Sequence, residues 1–125
     1  MNNNITEDYC SFEISKLLKE KGFAVRGNFG YTMNTKGEYS GNVSNVSYKY
    51  IETAGYLYKP THSLAIKWLR INFQIDIDAT CDYERIYWQY GIRRKGYPYL
   101  KDYSVKYSTP EEATEAALIH ALNLI

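Results

Sequence analysis

The sequence predicts a two-layer α+β domain in the order α-β-β-α-β-β-β-α: a mostly antiparallel sheet with three helices. Apolar residues recur at helical spacing in three separated segments. Between Ile71 and Arg93 they alternate instead with polar residues, the period of a strand. Clusters of Gly, Asn and Ser punctuate the runs in between. The 125 residues match one domain, residues 1–125, able to bury a core without disulfide or metal staples.

The first helix is expected from about Asp8 to Lys21. Cys10, Ile14, Leu17 and Leu18 form its core-facing stripe, Lys16, Lys19 and Lys21 crowd its negative end, and Gly22 stops it. Phe23 should then fold back on it. Six of the eight glycines lie between Gly22 and Gly55, so this stretch reads as strands and turns, with strands at about 24–33 and 43–52. Thr61, after Pro60, is the candidate N-cap of a short second helix reaching Arg70, with Leu64, Ala65, Trp68 and Leu69 on its apolar face.

The clearest strand follows. Ile71, Phe73, Ile75, Ile77 and Ala79 alternate with Asn72, Gln74, Asp76 and Asp78, giving one buried and one wet face. A turn at 80–83 leads to a strand with Ile86, Trp88, Tyr90 and Ile92 on one face and Arg85, Tyr87, Gln89 and Arg93 on the other. A last strand is expected at about 102–107. Thr109-Pro110-Glu111-Glu112 opens the final helix as a capping box, and Ala113, Ala116, Ala117 and Ala121 give it a small-residue face for close packing. With all three helices on one face, the other face of the sheet is either open to solvent or covered by a second copy of the chain, a homo-oligomer.

Composition excludes several classes. Lys+Arg is 15 against 14 Asp+Glu, a net charge of +1, so long nucleic acid and acidic membranes are not expected partners. No run approaches the roughly 18 apolar residues of a membrane span. The start Met1-Asn2-Asn3-Asn4 lacks a secretory pattern, so the cytoplasm is the expected location. Two distant cysteines, Cys10 and Cys81, support neither a disulfide framework nor, with two unpaired histidines, a zinc site. No cofactor is expected: Gly27-Asn28-Phe29-Gly30 lacks the Lys and the strand–helix setting of a phosphate loop. The unusual feature is 14 tyrosines against 4 phenylalanines and 2 tryptophans.

Three segments carry a resemblance: Tyr9-Cys10-Ser11-Phe12-Glu13-Ile14-Ser15-Lys16-Leu17-Leu18-Lys19-Glu20-Lys21-Gly22-Phe23, Pro60-Thr61-His62-Ser63-Leu64-Ala65-Ile66-Lys67-Trp68-Leu69-Arg70, and Thr109-Pro110-Glu111-Glu112-Ala113-Thr114-Glu115-Ala116-Ala117. Together they resemble a group of small uncharacterised proteins of Bacteroides-type gut bacteria and their phages. The resemblance implies a phage or mobile-element accessory protein. It carries no catalytic residue. Small proteins of that kind often act by binding, including to components or signals of host defence.

Charge is segregated along the chain. Residues 72–84 hold Asp76, Asp78, Asp82 and Glu84 and no base. Residues 85–107 hold Arg85, Arg93, Arg94, Lys95, Lys101 and Lys106 against Asp102 alone, interleaved with Tyr87, Trp88, Tyr90, Tyr97, Tyr99, Tyr103 and Tyr107. Guanidinium groups clamp phosphate and tyrosine rings stack on bases. The candidate ligand-binding residues are Arg85, Tyr87, Arg93, Arg94, Lys95, Tyr97 and Tyr99. A plainer reading pairs Arg85 and Arg93 across strands with Asp76 and Asp78, each pair contributing about 0.2–1 kcal/mol; three adjacent cations need more partners than that. Neither His62, expected to be solvated, nor His120, nor the Asp76/Asp78 pair completes a nucleophile–base–orienter set.

The expected function is therefore non-enzymatic sequestration of a small, nucleotide-like anionic ligand, with a counter-defence role. The alternative is a protein–protein inhibitor or adaptor acting on a host protein through a tyrosine-rich surface, which Tyr48, Tyr50, Tyr56 and Tyr58 would extend.

Overall fold

Ser11 decides where the first helix starts. In a computed structural model of the chain, which describes residues 3–25, 27, 29–43, 55–82, 84 and 86–125, the Ser11 hydroxyl accepts the Ile14 N–H at 3.2 Å and caps α1, Phe12–Glu20. The helix therefore begins later than the expected Asp8, because Tyr9 and Cys10 are held extended against Thr61 and Pro60: Tyr9 bridges Thr61, and the Cys10 N–H donates to the Pro60 carbonyl at 2.8 Å. At the other end Gly22, at φ +101°, turns the chain. The Phe23 and Gly22 N–H groups then reach back to the Leu18 and Lys19 carbonyls, a Schellman ending that buries Phe23.

The fold is a small α+β fold, with three helices and two antiparallel sheets among the described residues. The described residues divide into two units, Met1–Thr61 and His62–Ile125. In the first, Cys10, Ile14 and Leu18 are buried. A three-stranded sheet of order β2-β1-β3 accompanies α1, formed by β1 (Gly30–Met33), β2 (Tyr39–Val43) and β3 (Tyr56–Tyr58). Asn34 turns β1 into β2, its Oδ1 accepting the N–H groups of Lys36 and Glu38. β1 is shorter than the expected 24–33. Gly30 marks its start because the Tyr56 ring and the Leu57 carbonyl occupy the space of any Cβ there. β2 occupies part of what the sequence suggested was connection, and β3 lies beyond the expected 43–52 strand, with Tyr56 buried and Tyr58 half-buried in it. Most of the expected 43–52 strand lies outside the described residues, as do Tyr48 and Tyr50.

The second unit contains α2 (His62–Phe73), β4 (Ile75–Cys81), β5 (Trp88–Arg94) and α3 (Pro110–Leu122). α2 runs past Arg70 into the segment expected as strand. Ile71 is 67% exposed, while Phe73 turns back so that its ring meets Trp68 at 5.2 Å; apolar residues at short spacing satisfied a helix here. Gln74, at φ +55°, ends the helix in a left-handed conformation, and β4 starts on the next residue. β4 and β5 pair antiparallel from Ile75↔Arg94 to Cys81↔Trp88. The connection is 82–87 rather than 80–83, because the Asp82 carboxylate gathers the Ile86 N–H at 2.6 Å; Ile86, expected on the buried face, is 71% exposed. α3 matches its capping box: Thr109 Oγ1 accepts the Glu112 N–H at 3.1 Å, and Glu112 Oε2 accepts the Ser108 N–H.

Strand alternation gives the β4–β5 hairpin two faces. Ile75, Ile77 and Ile92 are buried, with Ala113, Ala117, Leu118, Ala121 and Leu122 of α3 and Ala65 and Leu69 of α2, both of which pack on the hairpin. The expected strand at 102–107 is not a strand. Residues 97–107 touch the edge of β5 only through bridges at Ile92↔Leu100 and Trp88↔Tyr107. Between these bridges three residues of β5 face six of this segment, so the excess loops out around an Asp102–Ser104 turn. Side chains tie it to the outer face: Tyr99 Oη lies over Gly91 and donates to Asp78, Lys101 Nζ donates to Thr80 Oγ1 at 2.7 Å, and Gln89 Nε2 donates to the Tyr103 carbonyl at 2.8 Å. The three helices thus do not share one sheet, and the outer face of this hairpin is partly taken by the chain's own residues 97–107. Among the described residues, no helix is long and apolar enough to cross a membrane. Cys10 is buried and Cys81 half-buried, each outside any disulfide.

Candidate functional site

The open end of the β4–β5 hairpin is where its two faces meet. Arg93 and Arg94 point to opposite faces by strand alternation, and the chain then turns sharply. The Tyr97 N–H donates to the Arg94 carbonyl at 3.0 Å, with Gly96 at φ +85°, the position where a type II turn requires a glycine. The turn lays the Arg94 guanidinium over the Tyr97 ring at 4.2 Å and projects Lys95 at its tip. On the other face the Arg93 guanidinium lies 4.4 Å from the Tyr99 ring centroid and pairs with Asp78. The C-terminal turn of α2 adds Arg70, which meets Asp76 at 3.3 Å.

These groups line a shallow cleft of about 660 Å³, bounded by Arg70, Gln74, Asp76, Arg93, Arg94, Lys95, Tyr97 and Tyr99. Four cations face one lining carboxylate. Arg70 and Arg93 are engaged by Asp76 and Asp78, while Arg94 and Lys95 have no carboxylate within 4 Å among the described residues. Their charge is therefore uncompensated locally, and such a patch raises the local concentration of anions. Tyr97 is 59% and Tyr99 42% exposed. The Tyr99 phenol is held above its ordinary value of 10.0 by burial first, then by the Asp78 charge and hydrogen bond, so it remains a neutral donor to that carboxylate.

Five of the candidates, Arg93, Arg94, Lys95, Tyr97 and Tyr99, thus meet in one cleft. Tyr87 does not join them. It lies six residues before Arg93, roughly 20 Å away by strand rise, with Lys106 Nζ 4.6 Å from its ring. Arg85 lies outside the described residues. Arg93 follows the pairing reading with Asp78, and Arg70 meets Asp76. Arg70 and Gln74 were missed because they belong to a different element. The available signal was a cation in the last turn of a helix whose end adjoins the hairpin.

The histidines are committed to local contacts. His62 Nε2 lies 3.3 Å from Glu115 Oε2, both atoms buried, so it is not the solvated side chain expected. His120 Nδ1 meets Tyr90 Oη at 2.9 Å. No group of three or more His, Cys, Asp or Glu among the described residues is arranged to hold a metal ion. No protein-family model, curated protein or solved structure matches this chain.

Proposed function

We propose that the protein binds, without transforming it, a small anionic ligand carrying a flat ring, of the nucleotide type, in the cleft at the end of the β4–β5 hairpin. The observation that carries this reading is the convergence of Arg70, Arg93, Arg94 and Lys95 with two exposed tyrosines on one concavity. Arg94 and Lys95, with no carboxylate within 4 Å among the described residues, take the anionic group. Tyr97, already backed by Arg94, offers its ring for stacking, worth roughly 1–3 kcal/mol per base. Gln74 supplies an amide to read a base edge. The resemblance of the helical segments supports a phage accessory protein acting in the host cytoplasm, where holding such a ligand would blunt a host signal.

A thermal-shift screen with nucleotides, cyclic nucleotides and nucleotide sugars tests this. A ligand at 100 times its dissociation constant adds about 2.7 kcal/mol of stability, and the double variant Arg94→Ala/Lys95→Ala should lose that shift. A screen with no shift overturns the reading, and recovery of a converted ligand overturns its non-enzymatic part.

One observation favours the adaptor alternative. In the first unit, the rings of Phe12, Tyr31 and Tyr39 meet one another at 5.5–5.6 Å and Tyr9 meets Phe29 at 5.5 Å, and Phe29 and Tyr39 are exposed. Loss of activity on Tyr39→Ser, with the Arg94→Ala/Lys95→Ala variant fully active, would favour that reading.

A further inference from the structure

On the far side of Leu100 from the cationic cleft, the looped-out part of 97–107 encloses a second hollow of about 500 Å³. Its walls are the rings of Tyr90, Tyr103 and His120 and the side chain of Leu100, and its polar rim is the turn at Asp102. We propose that this hollow is a site for a small protonated amine carried on a flat apolar body, distinct from the anion cleft and independent of the reading given for it.

The electrostatics favour a cation. Asp102 Oδ1 accepts both the Ser104 N–H at 3.0 Å and the Ser104 hydroxyl at 2.6 Å, and these bonds hold the carboxyl below its usual value. It is therefore a fixed anion near neutral pH. Its Oδ2 takes no donor among the described residues. The faces of tyrosine rings carry negative potential and attract ammonium groups. Lys101 is the opposing charge. Its ammonium donates to Thr80 Oγ1 at 2.7 Å and lies 5.4 Å from the Tyr103 ring centroid, and it makes no direct ion pair with Asp102. The turn is also anchored: Gln89, itself buried, holds the Tyr103 carbonyl, and Leu100 bridges Ile92 through both backbone bonds. Carboxylate and rings are thus presented on a tethered loop, and the Tyr90–His120 contact keeps two of the walls in place.

Benzylamine is the probe, titrated into the full chain at neutral pH while the amide and ring resonances of residues 100–104 and His120 are followed by NMR. Benzyl alcohol and benzoate serve as neutral and anionic isosteres. Benzylamine should shift these resonances at millimolar concentration, with the alcohol weaker by about tenfold. Asp102→Asn, which keeps an acceptor for Ser104, should weaken the amine by about tenfold. Lys101→Met should tighten it, whereas a site for anions would weaken. Equal binding of the alcohol, stronger binding of benzoate, or full affinity in Asp102→Asn overturns the proposal. So do shifts confined to Arg94, Lys95 and Tyr97. Failure here leaves the nucleotide screen untouched, because the two sites are read by different resonances and by probes of opposite charge.

Discussion

The two faces of the β4–β5 hairpin are built from the same fourteen paired residues and held by different forces. The inner face buries Ile75, Ile77 and Ile92 against two helices, where stability scales with apolar area removed from water. The outer face carries Asp76, Asp78, Gln89, Gly91 and Arg93, and residues 97–107 lie on it through single hydrogen bonds and ring contacts. Exposed contacts of that kind are each worth about 1 kcal/mol or less. One face makes the unit fold, while the other can be charged and concave because little of the stability depends on it. Both proposed sites lie along the segment that covers the outer face.

The largest break in that comparison is Ile92→Ala. It should cost about 2–5 kcal/mol, against less than about 1 for Arg93→Ala one residue away; urea unfolding of the two variants checks the contrast. Comparable losses would mean that the outer face is structural after all.

Next is Gly91→Ala. A Cβ there would lie 1.9 Å from Tyr99 Oη, so the ring must leave the face, giving up its bond to Asp78 and its contact with Arg93. The expected loss is about 1–2 kcal/mol, and the Tyr99 phenol should then titrate at its ordinary value. An unmoved Tyr99 titration would show that the ring is not seated by Gly91.

The alkaline limb sharpens the comparison by chemistry. Tyr90 on the inner face and Tyr99 on the outer both sit above the ordinary 10.0, in each case chiefly through burial. Tyr56 and Tyr58 in the first unit do the same. A raised folded value means a contribution fully present below about pH 10 and lost as pH rises through the raised values. Thermal midpoints should therefore fall above pH 10, and tyrosinate absorbance should appear in two classes, these phenols ionising last. Asp102 has the opposite sign. Its lowered value makes its contribution present above about 3.8 and lost as pH falls through the folded value.

Smaller still is Gln74→Gly. A left-handed non-glycine residue is strained, so relief should raise stability by about 0.5–1 kcal/mol, read as an increase in melting temperature. The smallest effect on stability is that of Arg94→Ala, within about 0.5 kcal/mol, although it removes a carboxylate-free cation from the cleft. A large stability loss would assign Arg94 to the fold instead.

Where the sequence could be read correctly, the signal was local. The Thr109–Glu112 cap, the Gly22 stop with Phe23 folded back, the apolar stripe of α1 and the alternation from Ile75 to Ala79 follow from spacing along one element, because helix and strand periods act over a few residues. The α2–β4 boundary was not legible, since Ile71 and Phe73 satisfy either period and the break depends on the φ of Gln74. Residues 102–107 alternate like a strand, yet the loop excess opposite β5 leaves them only a bridge at Tyr107.

The candidate site divides the same way. The ingredients were legible in the sequence: cations interleaved with tyrosines over residues 85–107, and acids over 72–84. Only tertiary structure decided which of them meet. The register of β4 against β5 set Arg93 opposite Asp76 and diagonal to Asp78, with which it pairs, the end of α2 brought Arg70 to Asp76, and the turn at Gly96 left Arg94 and Lys95 without a carboxylate among the described residues. Charge pairing depends on distances of a few ångströms between groups far apart in the chain, and such distances are set by packing rather than by composition.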